Sequence, residues 1–230
     1  MQTLLWVLVA GFFTGYFVLE GLDFGVGMML ARGTKAERNR LARSISPLFL
    51  GNEVWLVAAV GLVIGAFPAL ETTQGPRLYP LIVIILLAWM VRDAGLWFRG
   101  RTTGDWWDRA IALASLVLPF SWGFLLTDVA EGGPAIARPL PIVGGIVAVA
   151  VVFLHGRFFA TANRYAAVTS AVIAMAVLAV LLANRPADAA GSATLDLLAA
   201  FVLPALPLLL GVQVWLWRVS RRSTGLPGFF

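Results

Sequence analysis

Cysteine is absent from the 230 residues, and histidine occurs once, at His155. The first absence excludes disulfides, iron–sulfur clusters and thiolate-ligated haem built from this chain alone. The second excludes an imidazole cluster spaced for a metal, and one histidine cannot hold several haems. No glycine-rich phosphate loop or nucleophile elbow occurs either. Charge is scarce: 13% of residues are Asp, Glu, Lys or Arg, about half the share usual in soluble domains. No polar stretch is long enough to enclose a core of its own, so no separate soluble domain is expected.

What is present is apolar. Hydrophobic residues make up 60% of the chain, and the mean hydropathy is +0.88. Seven apolar stretches approach membrane-spanning length, near Leu4–Leu30, Ile45–Phe67, Tyr79–Phe98, Ala110–Leu126, Leu140–Phe159, Tyr165–Ala183 and Leu195–Trp217. They lack the alternation of barrel strands, so an all-α, polytopic transmembrane bundle is expected, a single integral membrane domain over residues 1–230. The first stretch has no basic region before it and no small-residue cleavage site, so it reads as a span and not as a removed signal.

The net charge of +5 and pI near 10.7 suggest nucleic acid until the cations are placed. Arg32, Lys35, Arg38, Arg40, Arg43, Arg92, Arg99, Arg101, Arg109, Arg157, Arg164, Arg218, Arg221 and Arg222 fall to one side of the spans. Only Arg77, Arg138 and Arg185 fall to the other. That asymmetry predicts an external N-terminus and a cytoplasmic C-terminus in a cell membrane, with lipid and not nucleic acid as the surrounding partner. Trp97, Trp106, Trp107, Trp215 and Trp217 are expected as anchors at the inner interface, with Trp6 and Tyr79 toward the outer one. Thr34-Lys-Ala-Glu37 predicts a capping box that starts a short surface helix. Gly11-x-x-x-Gly15 and Gly21-x-x-x-Gly25, followed by Gly27, predict close helix packing along the first span.

Ionisable groups inside spans are costly and mark function by default. Here they are Glu20, Asp23, Glu53, Arg92 and Asp93, with Asn52 and His155 as polar companions. Counted along the helical rise, Asp23, Glu53 and Arg92 each lie about 10 Å from the inner surface. Glu20 sits one turn deeper on the face of Asp23. Three successive helices thus feed one polar layer. Two readings of it stand: a proton path through Glu20, Asp23, Asn52 and Glu53, or an ion-pair network of Arg92 with Asp23 or Glu53 that fixes packing. Arg92 is also near enough to the interface to snorkel. His155 is either a haem ligand or a hydrogen-bonded residue near a helix end. Met28 and Met29 read as ordinary apolar surface. A small ion-coupled secondary transporter would use the same acids, but needs a midplane site at broken helices, and no internal repeat is visible.

Glu20-Gly-Leu-Asp-Phe-Gly-Val-Gly-Met28, the basic loop after it, and Gly51-Asn-Glu-Val-Trp-Leu56 together resemble subunit II of cytochrome bd quinol oxidases. That family shows a "DGFDxGVGM" element ending its first helix and "WDGN(E/Q)VWL" in its second. Weaker likeness continues through Phe67-Pro68, Arg92–Arg99, Trp106-Trp-Asp108, His155-Gly156 and Trp215-Leu-Trp217. The resemblance implies a haem-free or haem-poor subunit of a complex that oxidises membrane quinol and reduces O2 to water. Haems b and d would lie in a partner subunit I, with room for a small accessory subunit. It also implies proton or O2 access routes, with Arg92 as countercharge and Trp55 as an interface or gas-access residue; no catalytic, cofactor-binding or metal residue is expected in this chain. Two departures stand out. Leu50 occupies the place of the family aspartate, so no role of that acid carries over, and only Asn184–Thr194 separates the sixth span from the last, where the family has further helices.

Overall fold

The computed structural model describes residues 1–101, 105–132 and 138–222, with Arg221 and Arg222 as backbone only. Those two cations of the expected inner side therefore lie outside the described side chains. Among the described residues the fold is all helix: α1 Gln2–Met29, α2 Lys35–Ile45, α3 Phe49–Ala66, α4 Pro68–Phe98, α5 Trp106–Glu131, α6 Leu140–Ala160, α7 Tyr165–Ala183 and α8 Ser192–Arg222. All but α2 are long and apolar enough to cross a membrane. None of the seven is broken, although α4, α5 and α8 carry internal prolines.

Helix α1 is the axis of the bundle. It packs against α3, α5, α6 and α7, while α4 leans chiefly on α5 and α8 lies along α3. The expected glycine packing is specific to position. A Cβ on Gly15 would overlap the Trp55 ring, and one on Gly25 would lie 2.7 Å from the N and Cα of Gly156 on α6, closer than such atoms approach. Gly11 faces open space and has no such role. At the far edge, α8 seats Leu216 over Gly51 and Leu198 over Gly65, so two glycines of α3 make its bed.

Helix α2 forms as its sequence predicts. Thr34 Oγ1 accepts the Glu37 N–H at 3.3 Å, and the Glu37 carboxylate accepts the Thr34 N–H at 2.7 Å and its hydroxyl at 2.9 Å. Those two bonds, the backbone one foremost, hold the Glu37 carboxyl below its usual range. The box's contribution is therefore complete above the ordinary carboxylate range and is lost as pH falls through the lowered Glu37 value. Thr34→Ala should destabilise α2 locally by about 1 kcal/mol, read as faster amide exchange in residues 35–38 with little change elsewhere. Leu41, Ala42 and Ile45 turn this helix onto Val26, Leu30, Leu96 and Ile111.

Several expected boundaries move. Helix α4 begins at Pro68 and not near Tyr79, so 68–78 is helix and not loop. A single residue, Phe67, separates it from α3, with φ −133° and ψ 55°. Proline suits the first helical position and drives its predecessor out of the helical region, which makes so abrupt a corner. At about 1.5 Å per residue a 31-residue helix exceeds the thickness of a bilayer's hydrocarbon core. Its projecting turn is held by Arg77, whose guanidinium meets the buried Asp128 of α5 at 2.6 Å. The second span starts at Phe49, Ile45 being the last residue of α2, and the fourth and seventh are longer than expected at both ends.

Trp6 is not an interfacial anchor. Its ring is buried edge-on against Phe67, and its N–H donates to the Leu181 carbonyl at 2.8 Å. Nearby, Ala190 N–H donates to the Ala66 carbonyl at 2.9 Å, capping α3 with the α7–α8 connection. Tyr79, Trp97, Trp106 and Trp215 are exposed, as anchors should be.

Candidate functional site: a buried polar layer

The ionisable residues named from sequence converge. Arg92 of α4 is fully buried, and its guanidinium is ion-paired with Glu20 of α1, with Glu53 of α3 at 2.6 Å and with its neighbour Asp93 at 2.8 Å. It does not snorkel. Phe24 and Phe49 lie beside its guanidinium carbon at 5.0 and 6.0 Å from their ring centres, so the cation is walled by aromatic faces as well as acids. Trp89 N–H also donates to Glu53, at 2.7 Å. The ion pair with Glu53 is the one expected, whereas the second partner is Glu20 and not Asp23.

Asp23 belongs to the other half of the layer. Asn52 donates to its Oδ2 at 2.8 Å, Gln213 of α8 donates to the Asn52 carbonyl oxygen at 2.9 Å, and Trp55 N–H donates to the Gln213 oxygen at 3.1 Å. Adjacent residues of α3, Asn52 and Glu53, thus turn to different neighbours and join the two halves. Trp55 stands inside the bundle against α1 and α8, in edge contact with Phe12. Sequence reasoning missed Gln213 and Trp89. Gln213 carried a signal, being an amide inside an apolar run; Trp89 did not, since a tryptophan in a span reads as packing.

His155 stands apart, on α6 beneath Gly21. One ring nitrogen, Nε2, is 3.0 Å from the Val18 carbonyl, which can only accept, and Nδ1 is 2.7 Å from the Thr169 hydroxyl. With Nε2 as donor, Nδ1 takes the hydroxyl proton, and no lone pair is left to bind iron. The residue set around His155 does not fit a haem.

The chemistry of the layer follows from its charges. Three carboxyls, Glu20, Glu53 and Asp93, meet one guanidinium, and Asp23 joins the layer through Asn52; Glu20, Asp23 and Arg92 are at most 1% exposed. A buried carboxylate is costly unless it is paired, and the layer holds more carboxyls than its one guanidinium can pair. Glu20 Oε2 and Asp23 Oδ1 have no hydrogen-bond partner, so each of these two carboxyls keeps an oxygen at which a proton can be gained or lost.

The chain also has relatives. The cytochrome bd terminal oxidase subunit II profile matches residues 1–185. Cytochrome bd ubiquinol oxidase subunit 2 of Bacillus subtilis (strain 168) is 35% identical over 179 residues, covering 70% of this chain and 53% of the relative. Cytochrome bd-I ubiquinol oxidase subunit 2 of Escherichia coli (strain K12) is 26% identical over 174 residues, covering 66% and 46%. The chain spans about half the length of these curated relatives. Seven apolar helices and bacterial relatives make it a multi-pass plasma-membrane protein. By the profile over most of its length and by the two motifs that build the polar layer, this chain belongs to the cytochrome bd terminal oxidase subunit II family.

Proposed function

We propose that this chain is the haem-free second subunit of a cytochrome bd-type quinol:O2 oxidoreductase, a single membrane domain with its basic end in the cytoplasm. It supports a haem-bearing subunit I, and its polar layer brings cytoplasmic protons toward that partner. The observation that carries the reading is the imbalance of three buried carboxyls, with the half-buried Asp93 beside them, against the single buried cation Arg92 in one connected set. A purely structural network would be expected to match its charges. In this reading Glu20, Asp23 and Glu53 exchange protons, Asn52 orients Asp23, Arg92 is the countercharge, and Trp55 is a wall of the route and of any path for gas. Quinol and the haems belong to the complex and not to this chain's own residues.

The test is turnover of the assembled complex. Glu53→Gln keeps shape and hydrogen bonds but cannot release a proton, so it should slow oxygen consumption by about an order of magnitude, with assembly and haem spectrum unchanged. Full turnover in Glu53→Gln, Asp23→Asn and Glu20→Gln alike would end the proton reading and leave a structural network.

A further inference from the structure

The layer needs a contact with water, and α8 offers one. A cleft of about 260 Å³ is walled by Gln213, Val214, Trp217 and Arg218. Val214 and Arg218 are exposed, Gln213 is buried, and Trp217 rests edge-on against Phe159 of α6. Arg218 lies on the basic side of the spans, where the bilayer meets water. From the cleft's wall the path inward is short: Gln213 to Asn52 at 2.9 Å, then Asn52 to Asp23 at 2.8 Å. It ends at a buried carboxyl whose Oδ1 has no partner. The layer's other exposed edge is at Glu53 and Asp93, 11% and 22% exposed. One helical turn toward the basic side on the same helices stand Leu50 and Trp97, both exposed and chiefly apolar, so that edge is lined by apolar side chains.

We propose that the α8 cleft is a water-filled proton inlet, with Gln213 as the movable plug between it and Asp23. The inference deepens the proton reading and rests on it. All of its new residues lie on α8, beyond the part of the chain that the family profile matches. Side-chain amides neither gain nor release protons near neutral pH, so Gln213 and Asn52 do not themselves form a proton wire. A rotamer change of Gln213 breaks its bonds to Asn52 and Trp55 and lets water reach Asp23. A hydronium ion there gives one proton to the carboxylate and leaves as water, so charge and atoms balance. Trp55, holding the Gln213 oxygen at 3.1 Å, sets the closed position, and Gln213 is a positioning residue.

The absence of cysteine from this chain makes the test clean. Val214→Cys and Leu210→Cys, one turn apart on α8, are made in the assembled complex in membrane fragments open on both faces. The unsubstituted complex controls for thiols of the partner. A charged, membrane-impermeant methanethiosulfonate should modify Val214→Cys about tenfold faster than Leu210→Cys, because thiolate forms where water is. Modification should then slow proton uptake. Gln213→Leu, an apolar plug, should slow uptake to the Asp23→Asn rate, whereas Gln213→Ala should not. Equal labelling at both positions overturns the inlet. So does Gln213→Leu at full rate while Asp23→Asn is slow, a result that leaves the proton reading standing. Full rates in Asp23→Asn, Glu20→Gln and Glu53→Gln overturn both.

Discussion

Arg92→Leu should abolish accumulation of the folded chain. The substitution leaves Glu20 and Glu53 facing each other, and Asp93 beside them, with no other fully buried cation among the described residues. Removing one member of a buried ion pair costs about 3–5 kcal/mol, and here three acids lose the same partner. That approaches the whole stability of an ordinary domain. The loss belongs to the uncompensated charges and not to the worth of the pairs. The triple variant Arg92→Leu, Glu20→Gln, Glu53→Gln should therefore recover much of the yield. Arg92→Lys should fall between, since an ammonium supplies the charge but not the planar fork that reaches two helices at once. Yield of detergent-extracted complex on a sizing column decides it. A normal yield of Arg92→Leu alone would mean that the layer needs no internal cation.

Gly156→Val should be nearly as damaging, for a reason with no charge in it. Backbone meets backbone where α6 crosses α1, and a side chain on Gly156 would enter the space of Gly25 and Val26. Overpacking of this kind costs about 1–3 kcal/mol and sometimes more, and neither backbone can yield as a flexible side chain would. The neighbouring His155 would lose its reach to Val18, so the strain spreads to α7 through Thr169. Gly11→Val is the matched control, because nothing lies within 4 Å of a Cβ there. Thermal unfolding of the purified complex should drop sharply for the first and barely for the second. Equal melting would show that the α1–α6 crossing is not tight.

The contrast between Gly11 and Gly25 shows what sequence could and could not supply. Both sit in a small-xxx-small pattern on α1, and the pattern gives spacing but not the neighbour, so it could not say that only Gly25 meets another backbone. Spans were legible because apolar runs report solvent directly. The start of α4 was not, because Glu71, Gln74 and Arg77 interrupt the apolar run before Tyr79, and the Arg77–Asp128 pair that ties its projecting turn down links residues 51 positions apart. Depth along each helix placed Glu20, Asp23, Glu53 and Arg92 in one layer correctly. Rise per residue carries no azimuth between helices, which is why Asp23 or Glu53 was the expected partner of Arg92, and the structure supplies Glu53 together with Glu20. Trp6 misled for the same reason: its distance from the helix end marked an interface, while its direction pointed inward.

The ion pair at the centre of the bundle has a consequence in time as well as in space. Glu20 and Arg92 are separated by 72 residues, and a ribosome adding about 5–20 residues per second needs several seconds to cover that distance. During that interval α1 is already made, with two acids and no internal cation, and α3 adds a third. Gln213, the last member of the layer, follows Asn52 by 161 residues. Helix α1 is therefore made before the cation that pairs its Glu20 by the whole of α2 and α3. Until α4 arrives, Glu20 has no guanidinium beside it, and water or the insertion machinery must meet its carboxyl in that place.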